Sequence, residues 1–272
     1  MIDHWIPGRK ARERQEFLRE LTPVVLMGRG HSGTRVLAFA CMHLGIKLGA
    51  SEELATGDAD DRDFTDRVKK LTLSNVDVTS SRCVRRSDLR YFQKAVYEYY
   101  IRLGSPSGLW GWKFPETYII GACLAHTFPR AKYLHLVRDG RDIAFKEHLT
   151  DNPRRKIGKK ILSRTGALSL PRYLQAASSW AYQVDAFDQF RKTIPPDQVL
   201  DVTFERLCLN PAETMDRVCK FLQIEINEAC RTYLSDGINR SKVAQYRENP
   251  PDQISQVEEH VGATLKRYGY VQ

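Results

Sequence analysis

Val24-Val25-Leu26-Met27-Gly28-Arg29-Gly30-His31-Ser32-Gly33-Thr34-Arg35, preceded by Pro23, carries an apolar tetrapeptide into a glycine-rich turn; an apolar-periodic segment then runs from Val36 to Leu44, closed by Gly45. That order reads as strand, tight loop and helix. Glycines at 28, 30 and 33 let successive backbone N–H groups turn inward, and the free N–H groups of the following helix point at whatever sits in the loop. Arg29, His31 and Arg35 add positive charge, while Ser32 and Thr34 add hydroxyl donors. The expected guest is an anion, a phosphate first of all. Gly28 and Gly33 match the spacing of nucleotide-type phosphate loops, but Thr34-Arg35 stands where such loops need Lys followed by Ser or Thr. The lysine that reaches outer phosphates and the hydroxyl that holds magnesium are both out of place, which argues against ordinary ATP or GTP chemistry.

Working outward, Leu109-Trp110-Gly111-Trp112-Lys113-Phe114-Pro115 is strand-like and precedes a helical pattern from Glu116 to Phe128. Lys113 therefore lies at a strand's carboxyl end, where open α/β sheets place their ligands. Ala131 to Val137 is a buried strand followed by Arg138-Asp139-Gly140-Arg141-Asp142 and an expected helix from Ile143 to Leu149, on which Lys146 faces back along the chain. This second strand–loop–helix unit has a basic tip and offers a second anion site. Gln198 to Phe204 is a fourth strand, and Pro211 opens a helix ending at Leu222. Strands near 24, 109, 132 and 198 separated by helices predict a parallel sheet with right-handed crossovers.

The remaining segments are read more plainly. Residues 9–21 form a peripheral helix, and residues 64–104 form helices joined by a polar connection, with an aromatic stripe at Phe92, Tyr99 and Tyr100 suited to the core. Residues 51–63 are acidic; Glu52, Glu53 or Asp63 could act as a general base if the fold carries the segment back over the anion loop. Residues 151–172 hold seven Lys and Arg, six of them between Pro153 and Pro171, and are expected to be solvated and mobile, able to recruit an anionic acceptor if they lie beside an active site.

A chain of 272 residues can bury a sizeable core as one domain, and no linker or internal repeat divides residues 1–272. The net charge of +9 points to an acidic ligand or surface. Nucleic acid is not expected, because the basic residues are spread among acids without interleaved aromatics in a recognisable motif. No apolar run approaches the roughly 18 residues that span a bilayer, and Met1 to Lys10 lacks a signal-peptide pattern, so a soluble, cytoplasmic protein is expected. Cysteines at 41, 83, 123, 208, 219 and 230 form no metal-like cluster.

In combination and order, these segments resemble the sulfotransferases that use 3′-phosphoadenosine 5′-phosphosulfate (PAPS), particularly the bacterial and tyrosylprotein-like branch. The resemblance rests on Gly30-His31-Ser32-Gly33-Thr34, Trp112-Lys113-Phe114-Pro115, Val137-Arg138-Asp139-Gly140-Arg141, Val202 to Leu222, Ile238-Asn239-Arg240-Ser241 and Tyr268-Gly269-Tyr270. It implies a P-loop-like three-layer α/β fold with a central parallel sheet of about four or five strands flanked by helices. It also implies that the first loop, with Arg29 and Arg35 beside it, holds the 5′-phosphosulfate. Arg138, Lys146 and Ser241 would hold the 3′-phosphate.

The activity implied is transfer of a sulfuryl group to a hydroxyl or amine of a small-molecule, carbohydrate or lipid acceptor, leaving 3′,5′-bisphosphoadenosine, with no metal required. Lys113 and His31 would neutralise developing charge, and the resemblance places the base at Glu52 or Glu53. Three departures accompany it: His31 stands where the family usually has Lys or Arg, Lys146 where it has serine, and Phe204 where related chains often have tyrosine. The alternatives are a kinase-like phosphotransferase or a catalytically silent nucleotide-binding relative. The sequence leaves the acceptor's identity and the oligomeric state open.

Overall fold

Val24 to Gly28 combine β-branched and long apolar side chains with no polar residue, the composition of a strand covered on both faces. In the computed structural model, which describes residues 7–49, 61–76 and 85–272, all five are buried as the central strand β1. Helix α1 (Pro7–Glu20) precedes β1 (Val24–Gly28), and α2 (Thr34–His43), α3 (Arg62–Asn75) and α4 (Arg86–Arg102) follow it. Next come β2 (Gly111–Lys113), a 3₁₀ segment (Pro115–Ile120), α5 (Gly121–Thr127), β3 (Lys132–Val137), α6 (Gly140–Ala144), α7 (Lys156–Arg164) and α8 (Arg172–Arg191). The chain closes with β4 (Val199–Thr203), α9 (Phe204–Leu209), α10 (Pro211–Leu222), α11 (Glu228–Asp236) and α12 (Pro251–Arg267).

The four strands form one parallel sheet in the order β2-β1-β3-β4. Leu26 aligns with Lys113 on one side and Leu134 on the other. Alternation along β1 splits its side chains between two layers. Val25 and Met27 join an aromatic core with Phe64, Phe92, Trp112 and Tyr133, whereas Val24 and Leu26 join Leu37, Leu134, Val202 and Met215. The Phe64 and Tyr99 rings stack at 4.4 Å, and the Tyr99 hydroxyl lies 2.8 Å from the Gly111 carbonyl, anchoring the edge strand. A third apolar cluster joins Ile143, Trp180, Val257 and Leu265, and so fastens α12 across α6 and α8.

Because β2 and β3 lie on opposite sides of β1, the connections reverse direction there, and a crevice opens at the carboxyl ends of β1 and β3. Two sequence expectations are corrected near it. The helix expected over residues 143–149 is instead α6, ending at Ala144, so Lys146 lies in the turn that follows. Residues 145–151 form turns and bends, in which the Asp151 carboxylate accepts the His148 N–H at 2.9 Å and pairs with Arg29 of the first loop. The basic run 151–172 is not a solvated loop throughout, because it contains α7, whose Ile161 and Leu162 are fully buried. No helix among the described residues is long and apolar enough to cross a membrane.

Candidate active site

The loop leaving β1 is shaped by close approach and by backbone in the left-handed region. Gly33 has φ +92°, and a Cβ there would stand 2.3 Å from the Phe204 ring. A Cβ on Gly30 would stand 2.2 Å from His148 Nε2. His31 also sits in the left-handed region, with φ 67°, and the Ser32 N–H donates to the Arg29 carbonyl at 3.1 Å. Left-handed residues alternating with right-handed ones make the kind of concave backbone turn that suits an anion, here at the start of α2. Ser32 and Thr34 are buried within it, and Arg35 is exposed on the first turn of α2.

Arg29, expected to contact the anion, has its guanidinium engaged beneath the loop. It donates to the Gly30 carbonyl at 2.7 Å, reaches the Lys146 carbonyl at 3.5 Å and pairs with the Asp151 carboxylate. Both partners of that ion pair are 1 % exposed, so Arg29 braces the loop from inside.

The basic tip of β3 meets this loop. Arg138 Nη1 donates to the His31 carbonyl at 3.3 Å, and its other edge holds Asp142 at 2.8 and 3.1 Å. A further bond from Nη2 reaches the Lys242 carbonyl, and the guanidinium lies 4.1 Å from the Phe204 ring centroid. Phe204 lacks a hydroxyl, but its ring supports Arg138 and abuts Gly33 at once. Lys146 Nζ bonds Gln245 at 3.2 Å, and Asp142 accepts the Tyr246 N–H at 2.8 Å. Ser241, whose hydroxyl and N–H both bond Asn239, thus rides on a segment fixed beside Arg138. Burial and the neighbouring Arg138 push the Lys146 ammonium below its ordinary pKa, so positive charge is crowded here and an anion would relieve it.

Lys113 ends β2 with only 4 % of its surface exposed. Its charge is felt by His148: burial, then Arg29, His31 and Lys113, hold that imidazole down to about 2. His148 is therefore neutral at physiological pH. The Thr150 N–H donates to His148 Nδ1 at 3.3 Å, and Thr150 Oγ1 lies 2.8 Å from the same nitrogen, so Nδ1 accepts and Nε2 is the protonated nitrogen, facing the buried Glu116 carboxylate at 3.8 Å. The His31 ring meets His148 edge-on at 5.4 Å and lies 2.9 Å from the Glu147 carbonyl through Nε2. Burial and Arg29 lower the His31 pKa, so the charge expected of His31 is absent near neutrality.

The crevice therefore brings together His31, Ser32, Gly33, Arg138, Lys146 and the Ser241 segment, with Lys113 reaching it through His148. Glu52 and Glu53 lie outside the described residues. Asp63, the reserve base, is taken up by Arg67 at 3.0 Å and Arg102 at 3.3 Å. Sequence reasoning missed Glu116, His148 and Asp151. Only Glu116 left a trace, three residues past Lys113 and directly after a proline. Among the described residues no group of three or more metal-ligating side chains occurs.

The Sulfotransferase family model matches residues 46–228, more than half of the chain, starting after the anion loop. A protein-tyrosine sulfotransferase of Drosophila melanogaster is 25 % identical over 214 residues, which cover 78 % of this chain and 40 % of that relative. The chain thus spans well under half the length of that relative. A Mycobacterium avium sulfotransferase superposes with a TM-score of 0.56 at 15 % identity, covering 97 % of this chain and 81 % of that one. A mouse sulfotransferase solved with bound 3′,5′-bisphosphoadenosine (PAP) superposes with a TM-score of 0.51 at 13 % identity, covering 95 % and 94 %. The fold is that of the P-loop-like sulfotransferases, and the chain belongs to the sulfotransferase family.

Proposed function

We propose that the protein transfers a sulfuryl group from PAPS to an acceptor hydroxyl or amine. The observation supporting this reading is the 3.3 Å contact between Arg138 and the His31 carbonyl, which joins the loop after β1 to the tip of β3, close enough for a single nucleotide to touch both. The residues fit such a guest: an inward-turned backbone nest with buried hydroxyls on one side, and a crowded Arg138–Lys146 pair on the other. When bound, PAPS supplies an activated sulfuryl group and a stable bisphosphate leaving group.

In this account the N–H groups of Gly30, His31, Gly33 and Thr34 and the Ser32 hydroxyl hold the 5′ end. Arg138, Lys146 and Ser241 hold the 3′-phosphate. Lys113, fixed by β2, offers its ammonium to charge that grows on the leaving oxygen, a positioning and electrostatic contribution of the kind that dominates phosphoryl transfer. His31 acts as a neutral donor from its ring unless an arriving anion raises its pKa. Glu52 or Glu53 takes the acceptor proton as the new S–O bond forms and the bond to the 5′-phosphate breaks. The acceptor is a small molecule, a glycan, a lipid or, as the name of the Drosophila relative suggests, a protein side chain.

The test is incubation with PAPS carrying labelled sulfate and fractionated cell extract, followed by the same assay on Glu52→Ala and Glu53→Ala. Label should pass to an acceptor, and one substitution should lower turnover by about 10² to 10⁴ while leaving PAP affinity unchanged. PAP binding without transfer to any fraction would make the protein a silent relative. Full turnover in both variants would remove these two glutamates as the base.

A further inference from the structure

Within the loop after β1, His31 is the side chain whose charge can change near neutrality, and the structure ties it at two points. Its carbonyl accepts from Arg138 Nη1 at 3.3 Å, and its ring Nε2 lies 2.9 Å from the Glu147 carbonyl. A carbonyl oxygen only accepts, so Nε2 carries the ring proton in the neutral form and Nδ1 holds a lone pair. Among the described residues Nδ1 meets no hydrogen-bond partner.

Without an anion, the surroundings oppose a second proton on this ring. Arg29 and Lys146 act on it with positive charge, and Arg138 approaches from the tip of β3. Asp151 acts in the opposite sense, but its carboxylate is taken by Arg29 in a pair 1 % exposed, as Asp142 is taken by Arg138. Glu147 meets the ring through its carbonyl, and His148, edge-on at 5.4 Å, is held neutral and adds no charge. An entering dianion reverses this balance, because an opposite charge at close range favours the charged form of a base. Neutral, the ring presents a lone pair at Nδ1; protonated, it presents a second N–H and a full charge.

We propose that His31 takes up one proton at Nδ1 when an anion enters the loop after β1, so that the imidazolium supplies on binding the positive charge that a lysine or arginine would carry permanently. The proton comes from solvent, which reaches the exposed ring, and no bond of the ligand breaks. Binding is thereby linked to pH: the site tightens as pH falls, until the free ring also charges, and the anion leaves together with a proton. The coupling needs only an anion in the loop; naming that anion as the 5′ end of PAPS rests on the sulfuryl-transfer reading.

Two probes on the full chain test it: sulfate, which stays a dianion near neutrality, and PAP. NMR titration of the imidazole protons, assigned by comparison with His31→Asn, should show the His31 transition moving to higher pH when sulfate is added. Asn tolerates the left-handed backbone at φ 67°, so this variant removes the titrating ring without straining the loop. Full coupling to one proton changes affinity about tenfold per pH unit, and His31 couples over part of the range, so sulfate affinity should rise about five- to tenfold from about pH 8 to about pH 6. His31→Lys should bind sulfate at the higher pH as tightly as wild type does at the lower, with no slope. Calorimetry of PAP at about pH 6.5, in buffers of different ionisation enthalpy, should show wild type taking up about half a proton or more beyond His31→Asn, a difference that cancels titration of the nucleotide's own phosphates. A His31 transition unmoved by sulfate, or a pH slope that survives in His31→Asn, overturns the proposal. A moved transition with sulfate but no binding of PAP leaves the coupling standing and counts against the sulfuryl-transfer reading instead.

Discussion

Replacing Asp151 with Asn should cost the protein more than any surface change, because it strands a buried guanidinium. Arg29 and Asp151 are each 1 % exposed, and burial already pulls the Arg29 pKa down while Asp151 pulls it back up. The introduced amide would still accept the His148 N–H through its carbonyl oxygen, so the variant isolates the charge from the hydrogen bond. Breaking one partner of such a buried pair costs about 3–5 kcal/mol, about a fifth or more of the roughly 5–15 kcal/mol by which proteins are stable. Urea unfolding of Asp151→Asn should therefore show a lower midpoint at an unchanged slope. The double variant Arg29→Met/Asp151→Leu removes both desolvation costs and should recover most of that stability. Its loop would lack the brace on the Gly30 carbonyl, so PAP affinity should stay low. A loss below about 1 kcal/mol in Asp151→Asn, the size typical of exposed pairs, would refute the reasoning.

Two further outcomes follow from the same site. Gly33→Ala forces a side chain into φ +92° and against Phe204, so calorimetry should show PAP affinity lowered about 5- to 30-fold, and an unchanged affinity would contradict the nest. His148 refuses a proton in the folded state down to about pH 2, whereas the unfolded chain accepts one below the ordinary 6.5, so stability falls as pH drops through that window. Between pH 6.5 and about pH 5, wild type should lose about 1.5 kcal/mol more than His148→Gln, and parallel pH profiles would show that the imidazole is not held neutral.

Much of the architecture was legible in the sequence because it was written in contiguous patterns. The apolar runs at Val24 and Lys132 and the proline at 211 marked β1, β3 and the start of α10. Helix α7 was hidden because its few apolar residues, Ile157, Ile161 and Leu162, stand among cations that mask the period. The end of α6 was illegible locally, since no Gly or Pro marks it; the turns that follow it carry Asp151 back to Arg29, a partner far away in sequence. In the site, the glycine loop and Arg138 could be read because each is a motif at a strand tip. Glu116, His148 and Asp151 could not, because they acquire meaning only when the turn after α6 folds onto the 3₁₀ segment and β1. Arg29 shows the limit in the other direction: sequence gives its charge but not that it points under the loop to Asp151.

The central claim is that one nucleotide bridges the loop after β1 and the tip of β3. Titration calorimetry of PAP against adenosine 5′-monophosphate, on wild type and on Arg138→Ala, addresses it directly. A charge-assisted contact of about 1.5–3 kcal/mol predicts that wild type binds PAP about 10- to 150-fold more tightly, and that Arg138→Ala erases the difference while leaving adenosine 5′-monophosphate binding intact. Equal affinity of wild type for the two nucleotides, or a PAP preference that survives loss of Arg138, would contradict it.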